Sequence, residues 1–358
     1  MTDAEDDAGE AGEADEASTA TTADARVDRP CVVAAREDGE RVRKALIDRG
    51  LLDDDFDIDI DVAADRIYVP LVEPAPADLD LPVAHERVRH AVERREGQTT
   101  PADLLDFEPT YERLGDLALL AEDGERAERA AEAVVASDVP VERVLNRASE
   151  VRGRERVRDW EQLAGEDSET VHREYGHEFL LDPRTVYFSP RLATERNRVT
   201  ERVRADDRVV DMFAGVGPYA VPMAARGAEV VAVDVNPDAV AYLRENARRN
   251  DVTDRLTARE DDVRQVAAEY EDWADRLVMN LPHSADAFLD AAVTMAGDDA
   301  AVHYYDIQPD GESFAPGEAA VRAAAGDAYD ASVETRRIVR SYAPHEVNVA
   351  LDVRLRRR

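Results

Sequence analysis

Apolar positions in this chain fall into two rhythms, short uninterrupted runs and helical spacing, and both begin only after the first 25 residues. From Arg26 onward "CVVAA" (Cys31–Ala35) reads as a strand and "DGERVRKALIDRGLL" (Asp38–Leu52) as a helix closed by Gly50. "DIDIDV" and "DRIYVPLV" follow as a strand pair. These elements predict a small α+β module over residues 26–75. "EPAPADLDLP" (Glu73–Pro82) interleaves prolines with acids, which favours extended chain, so residues 76–98 are expected to be a linker.

A second block, residues 99–195, mixes the two rhythms. "YERLGDLALL" suggests a short strand after a turn, "ERAERAAEAVVAS" a helix, and "VERVLNRA" a strand or a helix start. From Arg196 to Arg358 strand and helix alternate: "RVVDMFAG", "AEVVAVDVN", "RLTARED", "DRLVMNLP" and "AVHYYDIQ" are strands, separated by helices such as "PDAVAYLRENARRN". Such βαβ alternation predicts an α/β fold with a doubly wound parallel sheet. The tail "VETRRIVRSYAPHEVNVALDVRL" adds an antiparallel hairpin.

Composition changes this picture at three points. Residues 1–25 are acidic, small and repetitive, with nothing to bury, so they are expected to be disordered. They also lack the basic and apolar regions of a signal peptide, and no run is long and apolar enough to span a bilayer. A cytoplasmic protein is expected. Cys31 is the single cysteine, which excludes an internal disulfide and a cysteine-cluster metal site; sparse, scattered histidines argue against zinc, and no metal is expected. The formal charge of −35 would ordinarily argue against a nucleic-acid partner. Lys44, however, is the only lysine, and lysine depletion with excess carboxylate fits a halophile cytoplasm of molar salt, where the Debye length is about 3 Å. Against that acidic background, Arg152, Arg154, Arg156 and Arg158 in "VRGRERVRDWEQLAG" form a local cationic concentration, readable as a salt-bridged surface or as a phosphate or base contact.

Candidate chemistry gathers at the strand ends. "DMFAGVGPYAV" places Phe213, Gly215 and Gly217 directly after the first strand of the sheet, where backbone passes close to a ligand. The next strand ends in Asp234 and Val235, with the acid placed to accept from a ribose diol. The third ends in "EDDV", where Asp262, followed by Val263, could accept from an adenine amino group; each acid would serve equally well as a helix cap. Two acids at successive strand ends, without a Walker lysine or a third dinucleotide glycine, favour S-adenosyl-L-methionine over NAD or ATP. The fourth strand stops at Asn280-Leu281-Pro282. Ligands in open α/β sheets bind beyond the carboxyl ends of strands, so this tripeptide is expected to aim Asn280 at the edge of a planar substrate, with Pro282 fixing the backbone.

Four stretches, "VYFSPRLATER", "DMFAGVGPYAVPMA", "AVDVNPDAVAYLRENARRN" and "MNLP", resemble the class I archaeal and eukaryotic tRNA (guanine-N1-)-methyltransferases that modify guanosine 37. The resemblance runs from the small N-terminal module to the C-terminal hairpin. It implies a Rossmann-type doubly wound class I methyltransferase domain at 196–358, a middle α+β RNA-binding domain at 99–195, and a small N-terminal α+β domain that checks the tRNA elbow. The implied partner is tRNA, held at its anticodon stem-loop and elbow by a monomer; no membrane and no protein partner is implied. The resemblance also carries over Glu195 as general base and Arg156 beside guanine O6, with Arg154 and Arg158 open as alternatives, and sets Arg196 and Tyr187 at the cofactor. The chemistry is consistent: guanine N1 must lose a proton before it attacks a methyl group, and a guanidinium stabilises the charge that spreads onto O6. Competing expectations are a wybutosine-pathway aminocarboxypropyltransferase, another RNA base methyltransferase of the same fold, and a non-enzymatic RNA-binding module.

Overall fold

The computed structural model describes residues 26–74, 79–95, 97–311 and 314–358. The expectation of disorder for residues 1–25 lies outside the described residues. The chain divides into two compact units, residues 1–98 and 99–358.

In the first unit, β1 (Arg26–Ala35), α1 (Gly39–Ile47), β2 (Asp59–Asp61), β3 (Arg66–Pro70) and β4 (His85–Glu93) form an antiparallel sheet ordered β2-β3-β1-β4 with one helix on it. Val42, Ala45 and Leu46 recur at helical spacing and bury one face of α1 against Val32, Ala34, Ile67 and Val69. Leu46 is fully buried, so its truncation to alanine would cost about 2–5 kcal/mol. Strand β4 corrects the expected linker. Its sequence HERVRHAVE buries only Val92, so it carries almost no hydrophobic signature, yet its backbone pairs with β1 from Arg26↔Glu93 to Ala34↔His85. Backbone hydrogen bonding, which composition does not report, takes the module to residue 93.

The second unit opens with β5 (Tyr111–Leu114), β6 (Leu117–Leu120), α2 (Glu125–Ala136), β7 (Arg143–Arg147) and β8 (Trp160–Ala164), a sheet in which α2 carries the chain across to the parallel pair β6-β7. The hairpin β9 (Thr170–Glu174) and β10 (His177–Leu181) and the helix α3 (Ala193–Thr200) follow. The remainder is β11 (Arg208–Asp211), α4 (Ala220–Ala225), β12 (Glu229–Asp234), α5 (Pro237–Arg249), β13 (Leu256–Glu260), α6 (Val263–Val266), β14 (Ala274–Met279), α7 (Leu289–Met295), β15 (Ala296–Pro309), α8 (Ala315–Ala325), β16 (Tyr329–Ala343) and β17 (Glu346–Arg357). The sheet runs β13-β12-β11-β14-β15-β17-β16, parallel through β15 and closed by the antiparallel pair β17-β16.

The domain boundary expected between residues 195 and 196 falls inside α3. It also falls inside one core: Leu114, Leu117, Leu145, Phe179 and Leu181 pack in the same cluster as Val209, Val230 and Leu243. Two side-chain amides, Asn246 in α5 and Asn250 at its C-terminal cap, complete this join. Asn246 Oδ1 accepts from Leu180 N at 2.7 Å while its Nδ2 donates to Leu180 O at 3.1 Å and Val216 O at 3.0 Å. Asn250 does the same for Glu178, accepting from N at 3.0 Å and donating to O at 2.7 Å. The helix thus satisfies the free edge of β10 and, through Val216, anchors the turn after β11.

Candidate active site

The turn after β11 forms the floor of a cavity at the carboxyl ends of the parallel strands. Gly215, at φ +53°, lines the cavity, and a methyl group added there would meet only the Tyr187 carbonyl at 3.9 Å. Space above this backbone is therefore open to a ligand. Gly217 departs from its expected place. At φ +93° it packs away from the cavity, and an added Cβ would stand 2.6 Å from Leu243 Cδ1. Its missing side chain lets the turn close on α5.

Asp234, at the end of β12, lines the cavity and accepts from Gly215 N at 2.7 Å and Asn236 N at 2.9 Å, so it braces the glycine turn. Burial pushes its carboxyl above the usual range, opposed by the amides of Asn236 and Gly215. Asp262 caps α6 through Arg264 N at 3.0 Å and pairs with the guanidinium groups of Arg264 and Arg154. The hydrogen bond from Arg264 leads the causes that bring its carboxyl down to about 2. Its cap role is realised, and any adenine contact shares the carboxylate with two cations. Phe213, Val235 and Val263 give this side of the cavity an apolar lining, with Phe213 edge-on to Phe288 at 4.9 Å.

Asn280, Leu281 and Pro282 line the cavity beyond β14, and the Pro282 carbonyl accepts from Ile307 N at 3.0 Å. The proline carbonyl thereby ties the end of β14 to its neighbour β15. Tyr187 and Arg156 line the same cavity, the guanidinium lying 5.4 Å from the Tyr187 ring. Arg156 holds φ +58°, a left-handed conformation that costs a residue with a Cβ about 1–2 kcal/mol. Arg154 also lines the cavity, whereas Arg158 lies outside it in an adjoining open cleft. Arg196 is 3% exposed and its guanidinium is engaged by Glu174, at 2.8 Å from Nε to Oε1, and by the Ser189 carbonyl at 3.1 Å. It borders the cavity as a fixed wall.

Glu195 sits behind that wall, 3% exposed and outside the cavity lining. Arg198 Nε donates to Glu195 Oε2 at 2.9 Å, Tyr305 Oη donates to Oε1 at 2.8 Å, and Arg337 Nε lies 3.4 Å from Oε2. Tyr219, a cavity residue, donates in turn to the Tyr305 hydroxyl at 3.1 Å. Arg198 also reaches Asp352 at 2.7 Å, and Asp352 meets His303 Nδ1 at 2.6 Å. Because Arg276 can only donate, its 2.7 Å contact makes His303 Nε2 the acceptor and leaves the proton on Nδ1. Burial would raise the Asp352 carboxyl, but His303 and Arg198 hold it far below its ordinary value. Burial, aided by the neighbouring arginines, holds His303 neutral.

Sequence reasoning did not single out Arg340, Tyr342 and Asn348, which the C-terminal hairpin brings into the same cavity wall. The basic run "ETRRIVRSYA" in an acidic chain was the available signal for the first two. Nothing in the sequence marks Asn348.

Residues 170–329 match the TRM5/TYW2 methyltransferase domain, and residues 31–79 match the tRNA methyltransferase 5 N-terminal domain. The chain is 35% identical over 327 residues to the tRNA (guanine(37)-N(1))-methyltransferase Trm5b of Pyrococcus abyssi, covering 89% of this chain and 97% of that protein. The crystal structure of that Trm5b superimposes with a TM-score of 0.69 at 32% identity, covering 92% of this chain and 99% of the other. A complex of aTrm5 with tRNALeu gives a TM-score of 0.65 at 30% identity, covering 90% and 99%. A tRNA(Phe) (4-demethylwyosine(37)-C(7)) aminocarboxypropyltransferase of Pyrococcus horikoshii is 34% identical over 261 residues, 71% of this chain and 92% of that protein. With two family regions in order and similarity along nearly the whole length, this chain belongs to the Trm5 family of tRNA (guanine(37)-N(1))-methyltransferases.

Proposed function

We propose that this protein transfers a methyl group from S-adenosyl-L-methionine to N1 of guanosine 37 in tRNA. The observation that carries the reading is one cavity walled by the strand-end acid Asp234 and the open backbone of Gly215 on one side and by Asn280, Pro282 and Arg156 on the other. The residues present fit the cofactor: room above Gly215, an apolar lining from Phe213, Val235 and Val263, and a carboxylate at Asp234 for a ribose diol. When bound, the cofactor supplies a sulfonium-activated methyl group.

The protein's own groups do the rest. Asn280 holds the Watson–Crick edge of the guanine, and Pro282 keeps the backbone beside it fixed through the bond to Ile307. Glu195 takes the N1 proton, exchanging one of its present hydrogen-bond partners for the base. Arg156, which has no carboxylate within ion-pair distance among the described residues, stabilises the charge that develops on O6. Arg196 and Tyr187 shape the cofactor side of the wall. A base that leaves its stack to reach this cavity costs a few kcal/mol, least in a loop.

The match of residues 31–79 to the N-terminal domain favours methyl transfer over aminocarboxypropyl transfer, and product mass separates the two. The reading extends to a monomer in a salt-rich archaeal cytoplasm, supported by the single lysine and the formal charge of −35. Among the described residues no helix is long and apolar enough to cross a membrane. The test is nucleoside mass spectrometry of tRNA after incubation with protein and S-adenosyl-L-methionine. A mass gain of one methyl on guanosine 37, lost when adenosine replaces it, is expected; methylation elsewhere, or equal rates on both tRNAs, overturns the reading.

A further inference from the structure

Two buried polar atoms in the cavity region have no hydrogen-bond partner, Nε of Arg340 and Oδ1 of Asn348. Asn348 is 3% exposed, and both residues line the cavity. A buried polar group left unmatched costs about 1–3 kcal/mol, so two of them side by side call for a physical reason. They stand opposite one another in the β16–β17 register, one a donor and one an acceptor. The ladder is irregular on both sides of Arg340, between Ile338 and Arg340 and again between Ser341 and Ala343. Bulges of this kind re-aim a side chain, and here the re-aimed side chain is the one in the wall.

Charge points the same way. Arg340 and Arg156 line both the cavity and the open cleft beside it, and Arg158 lines the cleft. Two other cleft arginines are matched, Arg147 with Glu150 at 3.9 Å and Arg191 with Glu112 at 2.5 Å. Among the described residues no carboxylate lies within ion-pair distance of Arg156, Arg158 or Arg340, in a chain with 80 acidic side chains and 45 basic ones. Burial, followed by the charge of Arg147, pushes the Arg158 guanidinium down against the opposing pull of Glu150 and Glu112.

The sheet order fixes which part of a ligand could reach this corner. Asp234 belongs to β12, Asn280 follows β14, and Asn348 and Arg340 belong to β17 and β16. The strand of Arg340 lies three places beyond β14 in the sheet, on the side away from the cofactor acids, and its neighbour Tyr342 reaches back to His283 after Pro282 at 2.8 Å. The side away from the cofactor acids is the one left for the backbone of a nucleotide whose base meets Asn280. A planar guanidinium with a carboxamide beside it matches phosphate oxygens.

We propose that Arg340 and Asn348 form a seat for the RNA phosphodiester adjoining the target nucleotide, holding the backbone while the base enters the cavity. This rests on the RNA-substrate reading above. An anion on the outer nitrogens of Arg340 draws the guanidinium toward Asn348 Oδ1, and both orphaned atoms gain a partner.

The test measures binding rather than methyl transfer. A tRNA transcript with guanosine 37 carries an uncharged methylphosphonate at each flanking linkage in turn, and affinities for wild type and Arg340→Gln are read by fluorescence anisotropy. At one linkage the methylphosphonate weakens wild-type binding about tenfold; Arg340→Gln weakens binding of unmodified tRNA about tenfold and is indifferent to that methylphosphonate. Arg340→Lys recovers part of the loss. S-adenosyl-L-methionine affinity within about twofold of wild type shows that the variant is folded. Should Arg340→Gln fail that control, Asn348→Asp serves: its added charge weakens tRNA binding, and the same methylphosphonate relieves the loss. Losses that simply add at every linkage overturn the seat. Coupling at one linkage in a protein that never methylates guanosine 37 supports the seat and overturns the proposed reaction.

Discussion

Arg198 stands one turn along α3 from Glu195 and holds both oxygens of its carboxylate, Nε to Oε2 at 2.9 Å and Nη2 to Oε1 at 2.6 Å. The same guanidinium reaches Asp352 on β17 at 2.7 Å. The proposed base is therefore oriented by a strand more than 150 residues away in sequence.

Glu195→Gln keeps the shape of the side chain and an oxygen for Arg198 and Tyr305, and removes the proton acceptor. Single-turnover methylation should slow by about a hundredfold or more while S-adenosyl-L-methionine affinity stays level. An unchanged rate at saturating tRNA would take Glu195 out of the chemistry.

Asp352→Asn leaves Arg198, Arg202 and His303 without their shared anion in a buried site. Loss of one partner of such a network costs about 3–5 kcal/mol, which denaturant titration will resolve. The rate at full occupancy should drop too, since Arg198 no longer has a second anchor. Stability within 1 kcal/mol of wild type, an approximate error of such titrations, would show that the network is dispensable.

Asp211 at the end of β11 is fully buried, and its carboxylate oxygens make no well-formed hydrogen bond; burial, opposed by the nearby amides of Phe213 and Ala220 and aided by the Asp234 carboxylate, pushes its carboxyl up to about 7 from an ordinary value of 3.8. Between those values the folded protein holds a proton that the unfolded chain releases, so this residue's contribution is full below the lower value and is lost as pH rises through the upper one. Asp211→Asn should therefore gain stability relative to wild type between pH 5 and pH 8 at constant salt, pH values chosen to straddle about 7. Parallel melting curves at the two pH values would contradict this.

The two glycines of the turn should separate folding from binding. Gly217→Ala forces a Cβ to 2.6 Å from Leu243 Cδ1 and should lower stability by about 1–3 kcal/mol. Gly215→Ala meets nothing closer than 3.9 Å, so its cost is confined to the left-handed backbone, about 1 kcal/mol. Its larger effect should be on cofactor affinity, read by isothermal titration. Equal cofactor affinity in wild type and Gly215→Ala would remove the ligand from above that residue.

The parallel sheet and its site were legible because strand ends carry their chemistry in short, local words: the turn around Gly215, Asp234, and Asn280-Leu281-Pro282 all lie in one cavity wall or floor. Gly217 shows the limit of such words, since a glycine needed for ligand approach and one needed for helix packing look alike in sequence. β4 was missed because its pairing is carried by backbone, with Val92 alone buried. Asn348 and Arg340 escaped because their meeting depends on the register of a long hairpin, and register across β16 and β17 is interrupted by bulges that no local pattern announces.

The side-chain amides of Asn246 and Asn250 have a consequence for how the chain can be divided. They stitch β10 to the helix that carries the turn after β11, so the boundary suggested by motif positions is a seam rather than a joint. A fragment beginning at Arg196 would expose the surface that Phe179 and Leu181 cover and leave the buried Asn246 Oδ1 without the Leu180 amide it accepts from. Residues 99–358 are then expected to melt in a single transition, and a truncation inside them lays bare apolar core.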